Sequence, residues 1–170
     1  KEQLKMLISA AEKCNIEVFF AGSSYDDDIE QLCKDKDFIR YYGDYDYKSE
    51  ISRLYGEVDC TFCVYDANLN NVKVAQPNKF YESIYCGIPI IVAKDTYLGK
   101  VVEKENIGIA VSHTDEEELI NALYKLSYDT DYYQLMVANC NRYKSKIDIE
   151  MYNKRFVERI NQLIVSREEV

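Results

Sequence analysis

Apolar and polar positions change period repeatedly along this chain. Leu4, Leu7, Ile8 and Ala11 recur at helical spacing over residues 3–13, and the pattern stops near Asn15. Residues 16–22 then form a short apolar run closed by Gly22, the mark of a buried strand, and Ser23, Ser24 and Asp26 offer caps for a helical stretch around Ile29 and Leu32. The alternation continues with a strand over 38–43 ending in Gly43 and a helix over 48–56 with Ile51, Leu54 and Tyr55 on one side. A strand over 58–65, a polar loop over 67–76, a helix over 77–86 and a strand over 88–93 follow. A helix over 97–106 and a strand over 108–111 complete the sheet elements, and helices over about 115–127, 131–146 and 149–167 finish the chain.

Strands alternating with helices in this way predict an α/β fold: a doubly wound, Rossmann-like parallel sheet of about five strands with helices on both faces and a C-terminal helical extension. Residues 1–128 make the sheet domain and residues 129–170 the helices that pack on it. The chain opens on a helix, so the strand that ordinarily leads into that helix is missing from this sequence. No internal repeat or Gly/Ser/Pro-rich linker marks a domain boundary.

Composition narrows the classes. A length of 170 residues suits one hydrophobic core, and 47% hydrophobic with 30% charged residues is a globular balance. The formal net charge of −9, with no basic stripe, disfavours a nucleic-acid partner. No apolar run approaches the roughly 20 residues of a membrane helix, and KEQLKMLISAAEKCN lacks the cationic start and apolar centre of a signal peptide, so a cytoplasmic location is expected. The six cysteines lie in apolar periodic segments and read as reduced core residues. Cys60 and Cys63 sit three apart on a strand and point to opposite faces, and no second Cys or His pair completes a zinc site.

The stretch AQPNKFYESIYCGIPIIV, residues 75–92, carries the candidate chemistry. Pro77 suits a first helical turn and Gly87 the left-handed position past the end, followed by Pro89. Phe80 and Ile84 face the core, while Lys79, Glu82, Ser83 and Cys86 share another face. This helix follows the third strand at the carboxyl edge of the sheet, where open α/β sheets bind ligands. Its first N–H groups and dipole suit a phosphate, Lys79 adds a point charge, and Glu82 one turn on can accept from two vicinal hydroxyls of a ribose. From spacing alone, a solvated i,i+3 ion pair worth about 0.2–0.5 kcal/mol accounts for Lys79 and Glu82 at least as well.

Pro77-Asn-Lys-Phe-Tyr-Glu-Ser-Ile-Tyr-Cys-Gly-Ile-Pro-Ile-Ile91 resembles the P-N-x-x-x-E-x-x-x-x-G-x-P-V-I signature of the C-terminal donor-binding domain of GT-B glycosyltransferases of the family 4 type. Ile39-Arg-Tyr-Tyr-Gly43, Ile51-Ser-Arg-Leu-Tyr55 and Val58-Asp59 are similar to that family's V-x-F-x-G, L-x-x-x-Y and A-D segments. Gly108-Ile-Ala-Val111 and Asp115-Glu-Glu-Glu-Leu119 resemble its G-x-x-V and D-x-E-x-L segments. The likeness covers nearly the whole chain.

The resemblance implies a retaining transfer from a nucleotide diphosphate sugar to a sugar or glycolipid hydroxyl in polysaccharide or glycoconjugate synthesis, with no metal or other cofactor. It implies Gln76, Pro77, Asn78 and Lys79 at the pyrophosphate, Glu82 at the ribose, and Gly43, Asp44 and Tyr45 bordering the base, with Lys1 and Ser83 as secondary candidates. It also implies an N-terminal acceptor domain outside this sequence, through which the enzyme sits peripherally at the inner membrane, and a fragment inactive in transfer alone. The family's first motif glutamate falls on Val74, and its glycine-rich turn is replaced by Asn70-Asn-Val-Lys-Val74, which leaves sugar selection and turnover open.

Other features read more plainly. Asp44-Tyr-Asp46 suits a turn or cap better than a metal site, Asp26-Asp-Asp28 suits a cap with solvated first-turn acids, and His113 reads as a loop residue. Tyr152, Phe156, Ile160 and Leu163 or Ile164 form a wide apolar stripe that suits the missing domain or, in isolation, a second copy. Two further functions fit such a module: a non-catalytic nucleotide- or partner-binding regulator, and a GT-B sugar-nucleotide epimerase.

Overall fold

The computed structural model describes residues 1–23, 31, 33, 34, 36–147 and 149–168. Ser24, Asp26 to Asp28, Ile29 and Leu32, read above as a cap and a helix, lie outside the described residues, as does the side chain of Leu163. In order, the described elements are α1 (Glu2–Cys14), β1 (Val18–Ala21), β2 (Ile39–Gly43), α2 (Tyr47–Tyr55), β3 (Thr61–Cys63), α3 (Asn70–Val74) and α4 (Asn78–Cys86). They continue with β4 (Ile90–Ala93), α5 (Tyr97–Glu105), β5 (Gly108–Val111), α6 (Glu116–Tyr128), α7 (Thr130–Lys144) and α8 (Ile149–Glu168).

Short polar side chains start several helices by accepting backbone N–H bonds. Asp46 caps α2 through Ser49 N, Thr96 caps α5 through Gly99 N, and Asp115 caps α6 through Glu117 N and Glu118 N. Asn15 and Asn106 end α1 and α5 in left-handed conformations, φ 54° and 53°. The stretch expected as a polar loop holds α3, a helix of 5 residues. An Asx turn sets it up, the Asp66 carboxylate accepting from Asn68 N at 2.9 Å.

All strand pairing is parallel. Val18 lies opposite Ile39 and Ala21 opposite Gly43; in the second ladder Thr61 lies opposite Ile90, and Ile90 opposite Gly108. The pairing forms two ladders, β1-β2 and β3-β4-β5, where one five-stranded sheet was expected. In the doubly wound strand order, the place between β1 and β3 belongs to the strand that leads into the helix before β1. Among the described residues no strand fills that place.

Helices cover both faces, as period 2 along β4 requires. Ile91 and Ala93 join Leu7, Ala10 and Ala11 of α1 and Leu119, Ala122, Leu123 and Leu126 of α6 in one core. Val18 of β1 and Val64 after β3 enter the same core, so the two ladders are held together by side chains. Ile90 and Val92 point the other way, into Phe80 and Ile84 of α4, Leu98 and Val102 of α5, and Cys140 of α7. Each such fully buried side chain contributes about 1.5–3 kcal/mol.

All six cysteines are free thiols. Cys14, Cys63 and Cys140 are buried as expected, whereas Cys33 and Cys60 are only partly covered and Cys86, past the last buried turn of α4, is exposed. Cys60 and Cys63 do face opposite cores. Within the terminal helices, α7 buries Met136, Asn139 and Cys140, while α8 exposes Tyr152, Phe156, Ile160 and Ile164.

Candidate functional site

Helix α4 is fixed from below and left open above. Phe80 and Ile84 are 1% and 0% exposed and anchor it on β3 and β4. Gly87 takes φ 73° at its C-terminal end, a left-handed turn that an L side chain resists, and donates to Ile84 O. Lys144 Nζ donates to Tyr85 O at 2.8 Å and neutralises the carbonyl end. At the other end Pro77 is the N-cap, no side chain caps the helix, and Asn78 and Lys79 are exposed. Phe80 N donates to Pro77 O at 3.0 Å, which leaves the N–H groups of Asn78 and Lys79, both exposed residues, at this end of the helix.

Lys79 and Glu82 both stand at that end. Burial pushes the Cys63 thiol up, the Lys79 charge pulls it down and the Glu82 charge pushes it up again, so both side chains act on the last residue of β3. Tyr65, just beyond, is bonded to Cys63 and is pushed up to about 12 chiefly by burial. Ser83 does not share this open face. It is fully buried, donates to Lys79 O at 2.7 Å and meets Thr61 Oγ1 at 2.5 Å, fastening α4 to β3.

The carboxylate of Glu82 is held by two phenols. Tyr47 donates to Oε1 at 2.6 Å and Tyr55 to Oε2 at 2.7 Å. Hydrogen bonding to Glu82 raises Tyr47 above its ordinary value, and burial followed by the Glu82 bond raises Tyr55. Both tyrosines come from α2, whose start is set by the turn after β2. There Gly43 O accepts from Gly22 N at 2.8 Å, Asp44 is exposed, and Tyr45 is half-buried, its phenol adding to the rise of both Tyr47 and Tyr55. Tyr45 of this turn thus lies within electrostatic reach of the two phenols that hold Glu82.

Gln76 is exposed and accepts from Tyr81 OH at 2.9 Å; Pro77 is half-buried. Val74 is 72% exposed on α3. Lys1 is the N-cap of α1, and Gln3, two residues on, donates to His113 O at 3.3 Å, which sets the start of α1 at the same carboxyl edge as the loop after β5. His113 is more than a loop filler: its Nε2 lies 3.1 Å from Asp66 Oδ1 and 3.1 Å from Asn68 Nδ2, tying the loops after β3 and β5 together.

Asp46 accepts from Ser49 N at 2.9 Å and from Ser49 Oγ as the cap of α2. Among the described residues no group of three or more His, Cys, Asp or Glu side chains is arranged to hold a metal ion. A separate concavity of about 500 Å³ opens at the opposite end of α4, lined by Tyr55, Gly56, Val58, Gly87, Ile88 and Tyr133. Cys86, in its lining, is the last residue of α4, and Lys79, the second, lies about 10 Å away along the helix.

Sequence reasoning named Lys79, Glu82 and the 43–45 turn, and missed Tyr47 and Tyr55. The signal for Tyr55 was its place in the L-x-x-x-Y segment; nothing local marks Tyr47.

Residues 63–160 match the family described as Glucosyltransferase 3-like, C-terminal domain. The chain belongs to this family. The matched segment contains α4 and the loops on either side of it. The chain is also 26% identical over 103 residues to the succinoglycan biosynthesis protein ExoL of Rhizobium meliloti (strain 1021), covering 59% of this chain and 25% of that protein.

Among solved structures, Anabaena Alr3699/HepE in complex with UDP-glucose is similar with a TM-score of 0.77 and 17% identity, over 93% of this chain and 44% of that one. Sucrose-phosphate synthase from Thermosynechococcus elongatus gives 0.73 and 20% over 96% and 43%, and WaaG, a glycosyltransferase involved in lipopolysaccharide biosynthesis, 0.69 and 14% over 86% and 40%. These likenesses establish the fold of the C-terminal half of a GT-B glycosyltransferase. The chain thus spans about a quarter of the curated relative and less than half of each of these solved structures. No helix among the described residues is long and apolar enough to cross a membrane.

Proposed function

We propose that this chain is the donor-binding half of a retaining glycosyltransferase of the family 4 type, which transfers a sugar from a nucleotide diphosphate sugar to an acceptor hydroxyl in polysaccharide synthesis. The observation that carries this reading is the open N-terminus of α4 with Lys79 and Glu82 beside the 43–45 turn. UDP and UDP-glucose in the HepE complexes make a uridine diphosphate sugar the first donor to test.

In this reading the N–H groups of Asn78 and Lys79 and the Lys79 ammonium hold the diphosphate, with Gln76, Pro77 and Lys1 bordering it. They stabilise the charge that builds on the leaving diphosphate as the glycosidic bond breaks. A preorganised donor of this kind is worth about 3–4 kcal/mol of barrier. Glu82 accepts from the ribose hydroxyls, Gly43 to Tyr45 border the base, and neutralisation by Lys79 and amides replaces a metal ion.

Residues 1–128 form the donor domain and residues 129–170 its helical extension. A preceding segment supplies the strand between β1 and β3, together with the acceptor domain, which covers the apolar stripe of α8. Transfer needs both halves, and that other half carries any contact with the membrane surface.

Calorimetric titration of the full-length protein with UDP-glucose, UDP and other nucleoside diphosphates, with and without EDTA, tests the reading. Binding that survives EDTA and weakens at least tenfold in Glu82→Ala is the expected result, by loss of a charged acceptor. No binding of any nucleoside diphosphate, or full affinity in Glu82→Ala, would falsify it. NMR of the product's anomeric proton tests retention.

The exposed Val74 favours one second reading, a nucleotide-binding regulator without turnover. Binding of UDP-glucose without transfer to any acceptor or hydrolysis by the full-length protein would favour it.

A further inference from the structure

The two phenols on Glu82 come from opposite ends of one helix and differ in burial. Tyr47, the first residue of α2, is 52% exposed and bonded to Oε1; Tyr55, the last, is 8% exposed and bonded to Oε2. An exposed phenol exchanges a carboxylate for water at little net cost. A buried phenol that loses its acceptor is left unsatisfied, which costs far more. A ligand hydroxyl that takes a position now held by a phenol therefore displaces Tyr47 and leaves Tyr55 in place.

The carboxylate has about four acceptor positions on its two oxygens. With Tyr55 on Oε2 its plane and rotamer are set before any ligand arrives, and Oε1 is the oxygen that changes partners. Tyr45 is close enough to act electrostatically on both phenols, so the exchange takes place beside the turn assigned to the base.

We infer that Tyr55 is a positioning residue that orients Glu82 for a ribose diol, and that Tyr47 occupies one diol position in the ligand-free protein, so that the pair sets the preference for ribonucleotides over 2′-deoxyribonucleotides. This rests on the donor-site reading above. A nucleotide with both hydroxyls replaces the Tyr47 donor in full. A 2′-deoxynucleotide supplies one hydroxyl fewer, and either Glu82 forfeits a donor or Tyr47 stays in the way.

The test is titration of the full-length protein and its Tyr47→Phe and Tyr55→Phe variants with UDP and with 2′-deoxy-UDP, alongside melting temperatures. The wild type is expected to prefer UDP by roughly tenfold or more, the worth of a hydrogen bond to a charged group. Tyr47→Phe binds UDP several-fold more tightly, because no phenol competes. Tyr55→Phe loses roughly tenfold for UDP and much less for 2′-deoxy-UDP, so the preference collapses. A purely structural role for Tyr55 would weaken both nucleotides alike.

A wild type that binds neither nucleotide sinks the donor-site reading and this inference with it. A wild type that binds UDP and depends on Glu82, while both phenylalanine variants keep its UDP to 2′-deoxy-UDP ratio, overturns this inference alone. Should Tyr55→Phe fail to fold, Tyr47→Phe decides: weaker or unchanged UDP binding in that variant overturns the proposal.

Discussion

Gly108 faces the backbone of Ile90 so closely that a methyl group in place of its hydrogen would lie 1.9 Å from the Ile90 carbonyl oxygen. The two residues are register partners on β5 and β4, and β4 is itself hemmed in by β3 on its other side. The close approach leaves neither strand an easy way to give. Gly108→Ala is expected to cost about 1–3 kcal/mol or more, as overpacking does in a dense core. Urea unfolding followed by far-UV circular dichroism checks it, and a midpoint equal to that of the wild type would mean that β5 can shift without penalty.

Thr61 and Ser83 join β3 to α4 through a single hydroxyl pair. Because Ser83 donates to Lys79 O, the proton between the two hydroxyls belongs to Thr61. Ser83→Ala leaves the Thr61 hydroxyl buried without its acceptor and is expected to cost about 1–3 kcal/mol. Thr61→Val keeps the shape and the Ser83 bond to Lys79, and is expected to cost about 1 kcal/mol or less. A larger loss in Thr61→Val than in Ser83→Ala on chemical denaturation would reverse the assignment of donor and acceptor.

Glu118 links the loop after β5 to Lys94. It accepts from Lys94 Nζ at 2.8 Å and from Ser112 N at 2.8 Å, and Lys94, followed by the Ser112 N–H, holds its carboxyl below the ordinary value of 4.5. A depressed carboxyl favours the folded state above its unfolded value and loses that contribution as pH falls through its folded value. Glu118→Gln is therefore expected to be less stable than the wild type at pH 7, with a gap that narrows below pH 4.5. Both side chains are partly exposed, so salt should shrink the gap. Thermal melts from pH 7 to pH 3 read it out; a gap independent of pH would rule out the carboxylate as the cause.

Much of the fold can be read along the chain because its causes are local. The switch between period 2 and period 3.6 marks β4 and α4, Gly87 ends α4 in the left-handed conformation anticipated for it, and α5 stops at Asn106, where the pattern stops. The candidate site is legible for the same reason, since a helix start with Lys79 and Glu82 one turn apart is a local feature of the Pro77 to Ile91 run. The α3 helix escaped notice because 5 residues are too few to show a period.

Helical spacing says which side chains share a face, but not what covers that face. Ser83 looked open beside Glu82, yet β3 closes over it, and Cys86 looked buried yet faces solvent. Tyr47 and Tyr55 stand 35 and 27 residues from Glu82, and His113 stands 45 from Asn68. Those pairs exist only because parallel strands end at a common edge and deliver distant loops there, and no local pattern encodes which partners arrive. Residue order was enough for most of the elements and for the charge and acceptor on α4. Strand order and packing decided which phenols hold that acceptor, because hydrogen bonds between remote segments depend on where the folded backbone sets them down.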